Sequence, residues 1–177
     1  MARHGSNTTY NKETYMPISA QLFRDAMANL AASVTVVTTD GPAGKSGLTA
    51  SAVCSVSDSP PTVLVCVNHD SVANPVIKEN GKACINVCNF DQEEICRDFA
   101  GMTALSMEQR FAKDCWDQGT LDTPILKGAI ASLEGRIIDC KEVATHSVFF
   151  LELDHVILNE DQSALIYYAR DFKSLLP

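Results

Sequence analysis

Short stretches rich in β-branched and apolar residues succeed one another along this chain. Most segments between them are too short to carry a strand back for parallel pairing. Residues 34–39 are one such stretch, ended by Asp40-Gly41-Pro42. A second, 48–56, closes at Asp58-Ser59-Pro60-Pro61, and a third, 62–68, is continuously apolar enough for burial on both faces. Residues 83–88, 129–140, 146–158 and 165–172 complete the series, with a polar turn at 159–163 before the last. Six or more strands with few helices predict a mainly β, mainly antiparallel fold. A closed or partly closed barrel is the economical form, because closure removes exposed edges.

The helices are few and short. Ser19 can cap a helix whose apolar positions Leu22, Phe23, Ala26, Met27 and Leu30 follow helical spacing. Residues 71–81 predict a helix with Gly81 just past its end. Asp91 and Glu94 have capping-box spacing for another that runs towards Phe99 and stops at Gly101; Ser106 and Gln109 fit the same motif ahead of Phe111. Residues 1–17 are expected to be a flexible leader, and 18–177 a single domain.

Charge and cysteine usage narrow the function. The formal charge is −8, and the 14 Lys and Arg are scattered, so no basic patch marks a nucleic-acid surface. No apolar run reaches the roughly 18 to 20 residues that span a bilayer, and the polar N-terminus lacks a signal-peptide core, so a cytoplasmic protein is expected. The 7 cysteines are odd in number, contain no Cys-x-x-Cys pair and sit mostly in apolar runs, as reduced buried hydrophobes do. The four histidines, His4, His69, His146 and His155, are dispersed, and no metal site is expected.

Nucleotide-binding glycine loops and the Gly-x-Ser-x-Gly elbow are absent. What remains is a strand of low bulk, Lys45-Ser-Gly-Leu-Thr-Ala-Ser-Ala-Val-Cys-Ser-Val56. Its small residues suit either close packing against a helix or subunit, or the approach of a flat ring to bare main chain, with hydroxyls at Thr49 and Ser51 and a charge at Lys45. Ser71 and Asn74 stand at a helix start, where they serve as plain caps or where free N–H groups favour an anion. His146 opens an apolar strand, a place where a lone histidine is usually structural.

This segment, with Ser57-Asp-Ser-Pro-Pro61 and residues 62–68 behind it, closely resembles the flavin reductase components of two-component monooxygenases. The likeness continues through Phe23-Arg-Asp-Ala-Met27, Ala73-Asn-Pro-Val76, Phe99-Ala-Gly-Met102, Leu126-Lys-Gly128, Ala131-Ser-Leu-Glu-Gly135 and Thr145-His146. It implies a flavin-binding split β-barrel, antiparallel and Greek-key-like, that works as a homodimer. Its activity would be reduction of exchangeable FAD or FMN with NADH and release to a large oxygenase, the nearest case acting on 4-hydroxyphenylacetate.

By position, the resemblance implies that Lys45, Ser46, Gly47, Leu48, Thr49, Ser51 and Ala52 line the flavin. Cys66, Val67 and Asn68 would face its ring or chain; Ser71, Val72, Ala73 and Asn74, with Asp98 and Phe99, would approach the ribityl and phosphate end. His146 would lie by the nicotinamide or flavin edge as the catalytic residue. Tyr167, Tyr168, Ala169 and Arg170 would hold NADH by stacking and charge, against the alternative of a barrel strand with a surface arginine. A reductase that releases its product needs only modest flavin affinity. The alternatives are another split-barrel flavoprotein, such as a reductase for a different oxygenase or a pyridoxamine phosphate oxidase-like enzyme, and a flavin-binding module without turnover.

Overall fold

The computed structural model describes residues 17–159 and 162–176. The leader expected over 1–17 lies outside them except for Pro17, and the turn at 159–163 is described only in part.

The first helix, α1 (Ala20–Met27), begins where expected, with the Ser19 hydroxyl accepting from the Leu22 amide at 3.1 Å. After the short strand β1 (Ala32–Ser33), the chain enters β2 (Thr35–Thr39), which is buried along its whole length. Alternation explains this: Val37 points into one apolar cluster, Val34 and Val36 into another.

The stretch read as one strand over 48–56 is two. β3 (Ser46–Ala50) pairs with β2, whereas β4 (Val53–Asp58) pairs with β5 (Pro61–Asn68). Alternation of small residues carries no mark of the break at Ser51-Ala52; only the two different pairing partners create it. Helix α2 (Ala73–Asn80) then ends at Gly81, whose φ of 66° closes it in the left-handed conformation. Strand β6 (Lys82–Val87) follows. The box expected from Asp91 and Glu94 sits two residues earlier: Asn89 and Gln92 cap a 3-10 turn at Phe90–Gln92, which feeds α3 (Glu93–Phe99). The Ser106–Gln109 box caps α4 (Met107–Phe111) as expected. A hairpin, β7 (Trp116–Gln118) and β8 (Pro124–Leu126), was not foreseen; its strands are too short to show a period.

The long strands β9 (Ala131–Val143) and β10 (His146–Leu158) form a hairpin. The stretch 165–172 is a second hairpin, not one strand: β11 (Ala164–Tyr168) turns at Ala169-Arg170 into β12 (Asp171–Leu175). Both turn residues have positive φ, 52° and 62°, the geometry of a type I′ turn without its usual Asn-Gly. An Ala-Arg pair gives no turn signal in sequence, which is why the break was missed.

The main sheet runs β3-β2-β6-β9-β10-β5-β4, antiparallel throughout. Its two edge strands, β3 and β4, are consecutive in the chain with only Ser51 and Ala52 between them. The sheet therefore curls until its edges nearly meet. Covalent linkage, not a hydrogen-bond ladder, joins them, so the expected barrel stays split. The excursion from β5 through α2 to β6, with β9 and β10 filling the two places between, is the Greek-key element. A second sheet, β1-β11-β12, covers one end.

Inside the curl lie Val63, Val65, Val67, Ile85, Phe149 and Leu151, with Ala73 and Ile77 of α2 as a plug. The second cluster joins Val34 and Val36 to Cys88, Ile95, Cys96, Phe99, Leu126 and Leu165, and so fixes α3 and β11 on the outer face of β2. Two buried polar side chains tie the small hairpin to the sheet. Asn86 donates to the Val36 carbonyl at 3.0 Å and accepts from the Leu126 amide at 2.9 Å. The Glu134 carboxylate accepts from Thr120 and Leu121 amides (2.9 and 3.1 Å) and the Thr123 hydroxyl at 2.6 Å. Both oxygens of that carboxylate accept hydrogen bonds, as burial requires.

Candidate functional site

The break between β3 and β4 leaves Ser51 and Ala52 exposed at the rim, where two clefts meet. One, of about 150 Å³, lies between Thr49-Ala50-Ser51 and a wall of Met102, Tyr167 and Phe172. The other, of about 340 Å³, runs from Ser51 and Tyr167 to Phe23, Met27, Arg24 and Arg170. Ser51 and Tyr167 line both. The first is mostly apolar, and Tyr167 is braced there by an edge-on contact with Phe172, ring centres 5.3 Å apart. Arg97 in turn stacks over the other ring at 4.8 Å.

Along the rim, pairing carries the low-bulk segment onto neighbouring strands. The Cys66 amide donates to the Ala52 carbonyl at 3.0 Å, and His146 pairs with Asn68. Cys66, Asn68 and His146 thus occupy the same end of the sheet as Ser51 and Ala52, one and two strands away. The His146 ring is half-buried, with Nδ1 2.9 Å from the Thr145 hydroxyl. Burial pushes the Cys66 thiol above its ordinary value, which favours the neutral thiol over the thiolate. Asn68 uses its side-chain oxygen to accept from the Asp70 amide at 2.8 Å, an Asx turn.

Other expected residues are engaged by the protein itself. At Gly47 a Cβ would stand 2.8 Å from the Phe99 ring: the missing bulk there is filled by Phe99, not left for a ligand. Phe99 is buried in an aromatic cluster with Phe111 and Trp116, ring centres 5.1 and 5.5 Å away. Asp98 is buried too, accepting from Thr103 at 2.8 Å and pairing with Lys113 at 2.7 Å. The Thr49 hydroxyl donates to the Cys96 carbonyl at 2.6 Å, so towards a ligand it can act only as an acceptor. Ser46, Val67 and Ala73 are buried, and Leu48 packs on the inner core. What these positions can offer a ligand is main chain.

At the start of α2, two of the amides expected to face an anion are engaged locally. The Ala73 and Asn74 amides already donate to the Ser71 hydroxyl and carbonyl, at 3.3 and 3.0 Å. Asn74 is 3% exposed and donates to the Val67 carbonyl at 3.1 Å and the Ser147 hydroxyl at 3.0 Å, locking the helix to the ends of β5 and β10. Val72 projects into solvent. Lys45 stands at the far end of β3 from Ser51. It lies in a separate polar cleft of about 300 Å³ with Phe111, Lys113 and Trp116, paired to Asp40 at 3.6 Å. Tyr168 is partly exposed beside Tyr167, and Arg170 is ion-paired with Asp25 of α1.

Phe23, Arg24, Met27, Met102 and Phe172 line the clefts although none of them is among the expected site residues. One signal was available for α1. Its apolar positions follow helical spacing, and because α1 buries none of its residues that stripe is free to form a wall. Among the described residues, no cluster of three His, Cys, Asp or Glu side chains could hold a metal ion, and no helix is long and apolar enough to cross a membrane.

Residues 27–176 match the family model described as a flavin reductase like domain. The chain is 50% identical over 154 residues to the 4-hydroxyphenylacetate 3-monooxygenase reductase component of Escherichia coli, covering 87% of this chain and 91% of that one. It is 41% identical over 159 residues to the FMN reductase (NADH) RutF of Stutzerimonas stutzeri, covering 90% of each. Among solved structures, the Streptomyces globisporus NADH:FAD oxidoreductase SgcE6, in complex with NAD and FAD fragments, superposes with a TM-score of 0.80 at 28% identity. That match covers 88% of this chain and 92% of the other.

Proposed function

Because the chain belongs to the family of the flavin reductase like domain, we propose that it reduces free FAD or FMN with NADH and hands the product to a separate oxygenase. It is an NADH-dependent flavin reductase, and 4-hydroxyphenylacetate is the substrate class proposed for the oxygenase it serves, after the relatives that share half its sequence. One observation carries the site: the exposed, low-bulk rim at Ser51 is common to two clefts that share Tyr167 as a wall.

That rim fits a flat heteroaromatic ring. Two small residues leave main chain uncovered, and apolar side chains face it. When both are bound, the nicotinamide and the flavin supply the hydride chemistry themselves. The protein's part is position. Tyr167 and Met102 offer flat and pliable apolar surface, and Ser51 offers a hydroxyl free of any described partner. Arg24 and Arg170 bring positive charge to the rim of the larger cleft, suited to a pyrophosphate. His146, at the same end of the sheet, is proposed to meet the nicotinamide or flavin edge through its Nε2, with Nδ1 held by Thr145. The protein is further proposed to act as a homodimer, since Leu22, Phe23 and Leu30 around α1 and Val156 and Leu158 on β10 leave apolar surface exposed.

Mixing the purified protein with NADH and FAD, FMN or riboflavin, and following nicotinamide absorbance, tests the activity. Rapid oxidation with more than one flavin, and flavin lost on dialysis, is expected. Absence of flavin-dependent oxidation overturns the reading. His146→Ala is expected to slow hydride transfer at saturating NADH and flavin by about 10-fold or more. Added to a 4-hydroxyphenylacetate oxygenase, the protein should restore hydroxylation.

A further inference from the structure

The turn between β11 and β12 is held in place from outside its own hairpin. Ala169 and Arg170 are both left-handed, with neither glycine nor asparagine to ease it. Two bonds reach them from the α1 region. The Ala169 amide donates to the Ala28 carbonyl at 2.8 Å, and the Arg170 guanidinium donates to Asp25 Oδ1. The same carboxyl oxygen accepts from Gln21 at 2.8 Å, one helical turn away. Asp25 is therefore pinned on its own helix before it grips Arg170. The bond from Arg170 first, and that from Gln21 second, keep its carboxyl below the usual aspartate value. Among the described residues, the contacts with Ala169 and Arg170 are the hydrogen bonds that cross from α1 and its C-cap to another element.

What this clamp holds is the wall of the site. Tyr167, two residues before the turn, lines both clefts, and Arg170 lines the larger one with Arg24. The charged groups at that rim are two guanidinium ions and one carboxylate. Without Asp25, Arg170 would be free to swing into solvent, and the strained turn would keep only the Ala169–Ala28 bond of its two outer tethers.

We propose that Asp25 is a positioning residue for NADH: by gripping Arg170 it fixes the left-handed turn, and with it Tyr167, at the wall that receives the dinucleotide. This rests on the reading that the β11–β12 hairpin holds NADH. Asp25 itself touches no substrate; it acts through Arg170.

The test is steady-state kinetics of Asp25→Ala, Asp25→Asn, Arg170→Ala and the double variant Asp25→Ala/Arg170→Ala, with thermal midpoints alongside. Asp25→Ala is expected to raise KM for NADH about fivefold or more, with kcat and KM for flavin little changed, a split that general loosening of the fold would not produce. Asp25→Asn keeps a neutral acceptor for Arg170 and should fall between, and it carries the test if the alanine variant does not fold. In the Arg170→Ala background, removal of Asp25 should add nothing. Additive losses would overturn the proposal. A raised NADH KM in Arg170→Ala alone, with both Asp25 variants unchanged, overturns the proposal and leaves the hairpin reading standing. Wild-type KM in every variant removes both.

Discussion

Gly47 and Ser51 are both small residues in one short segment, and they do opposite things. At Gly47 the vacated space belongs to Phe99; at Ser51 it opens to solvent and to two clefts. Replacing Gly47 with alanine is expected to destabilise the protein by about 1–3 kcal/mol, because Phe99 is wedged against Phe111 and Trp116 and cannot yield. Its KM values should hardly move. Ser51→Val, by contrast, should leave the thermal midpoint near wild type and weaken flavin use, read as a raised flavin KM. If Gly47→Ala changed the flavin KM and not the midpoint, the division between packing and site would be wrong. Composition alone could not draw that division, since both positions read simply as absence of bulk.

At the scale of elements, the hairpin β11–β12 and helix α1 form a unit that the sequence only half revealed. The Ser19 cap and the amphipathic spacing of α1 were legible because they are local. The turn was not, because its residues are the wrong ones for their conformation and are held by partners about 140 positions away. Ala169→Asn keeps Arg170 and its bond to Asp25 while easing the left-handed strain. It is expected to raise the stability of the protein by up to about 1 kcal/mol, read from a denaturant midpoint. The same distinction explains α2. Ser71 and Asn74 read in sequence as plain caps or as an anion-binding helix start; in the fold the Ser71 hydroxyl accepts from the Ala73 amide, and the Asn74 side chain joins the helix to β5 and β10.

Across the whole molecule, the tip of the β9–β10 hairpin is tied to α2 and to the β5–α2 corner through Glu142. Its carboxylate meets Lys78 at 2.8 Å, His69 at 2.6 Å and the Ser147 hydroxyl at 2.9 Å. These bonds, Lys78 foremost, lower its pKa from 4.5 to about 2. A carboxyl whose folded pKa is depressed stabilises the fold above its unfolded value and loses that contribution as pH falls through the folded one. The stability difference between wild type and Glu142→Gln should therefore be present at pH 6 and shrink between about pH 4.5 and pH 2, as measured by denaturant unfolding. Because the cluster is exposed, the difference should also shrink in high salt. An unchanged difference across that range would show that Glu142 contributes by packing alone.

The amino-acid sequence by itself determined the class of fold, the strand segments with a clear period, the capped helix starts and the kinship on which the activity rests. Each of these is written in neighbouring residues or in an ordered series of short matches. Only the tertiary structure decided where the low-bulk segment breaks, which of its positions are filled from within, and that α1 and the final hairpin line the clefts that meet at Ser51. Those depend on what lies opposite a residue in space. Sheet edges that curl together and side chains from distant strands settle that, and no local pattern encodes it.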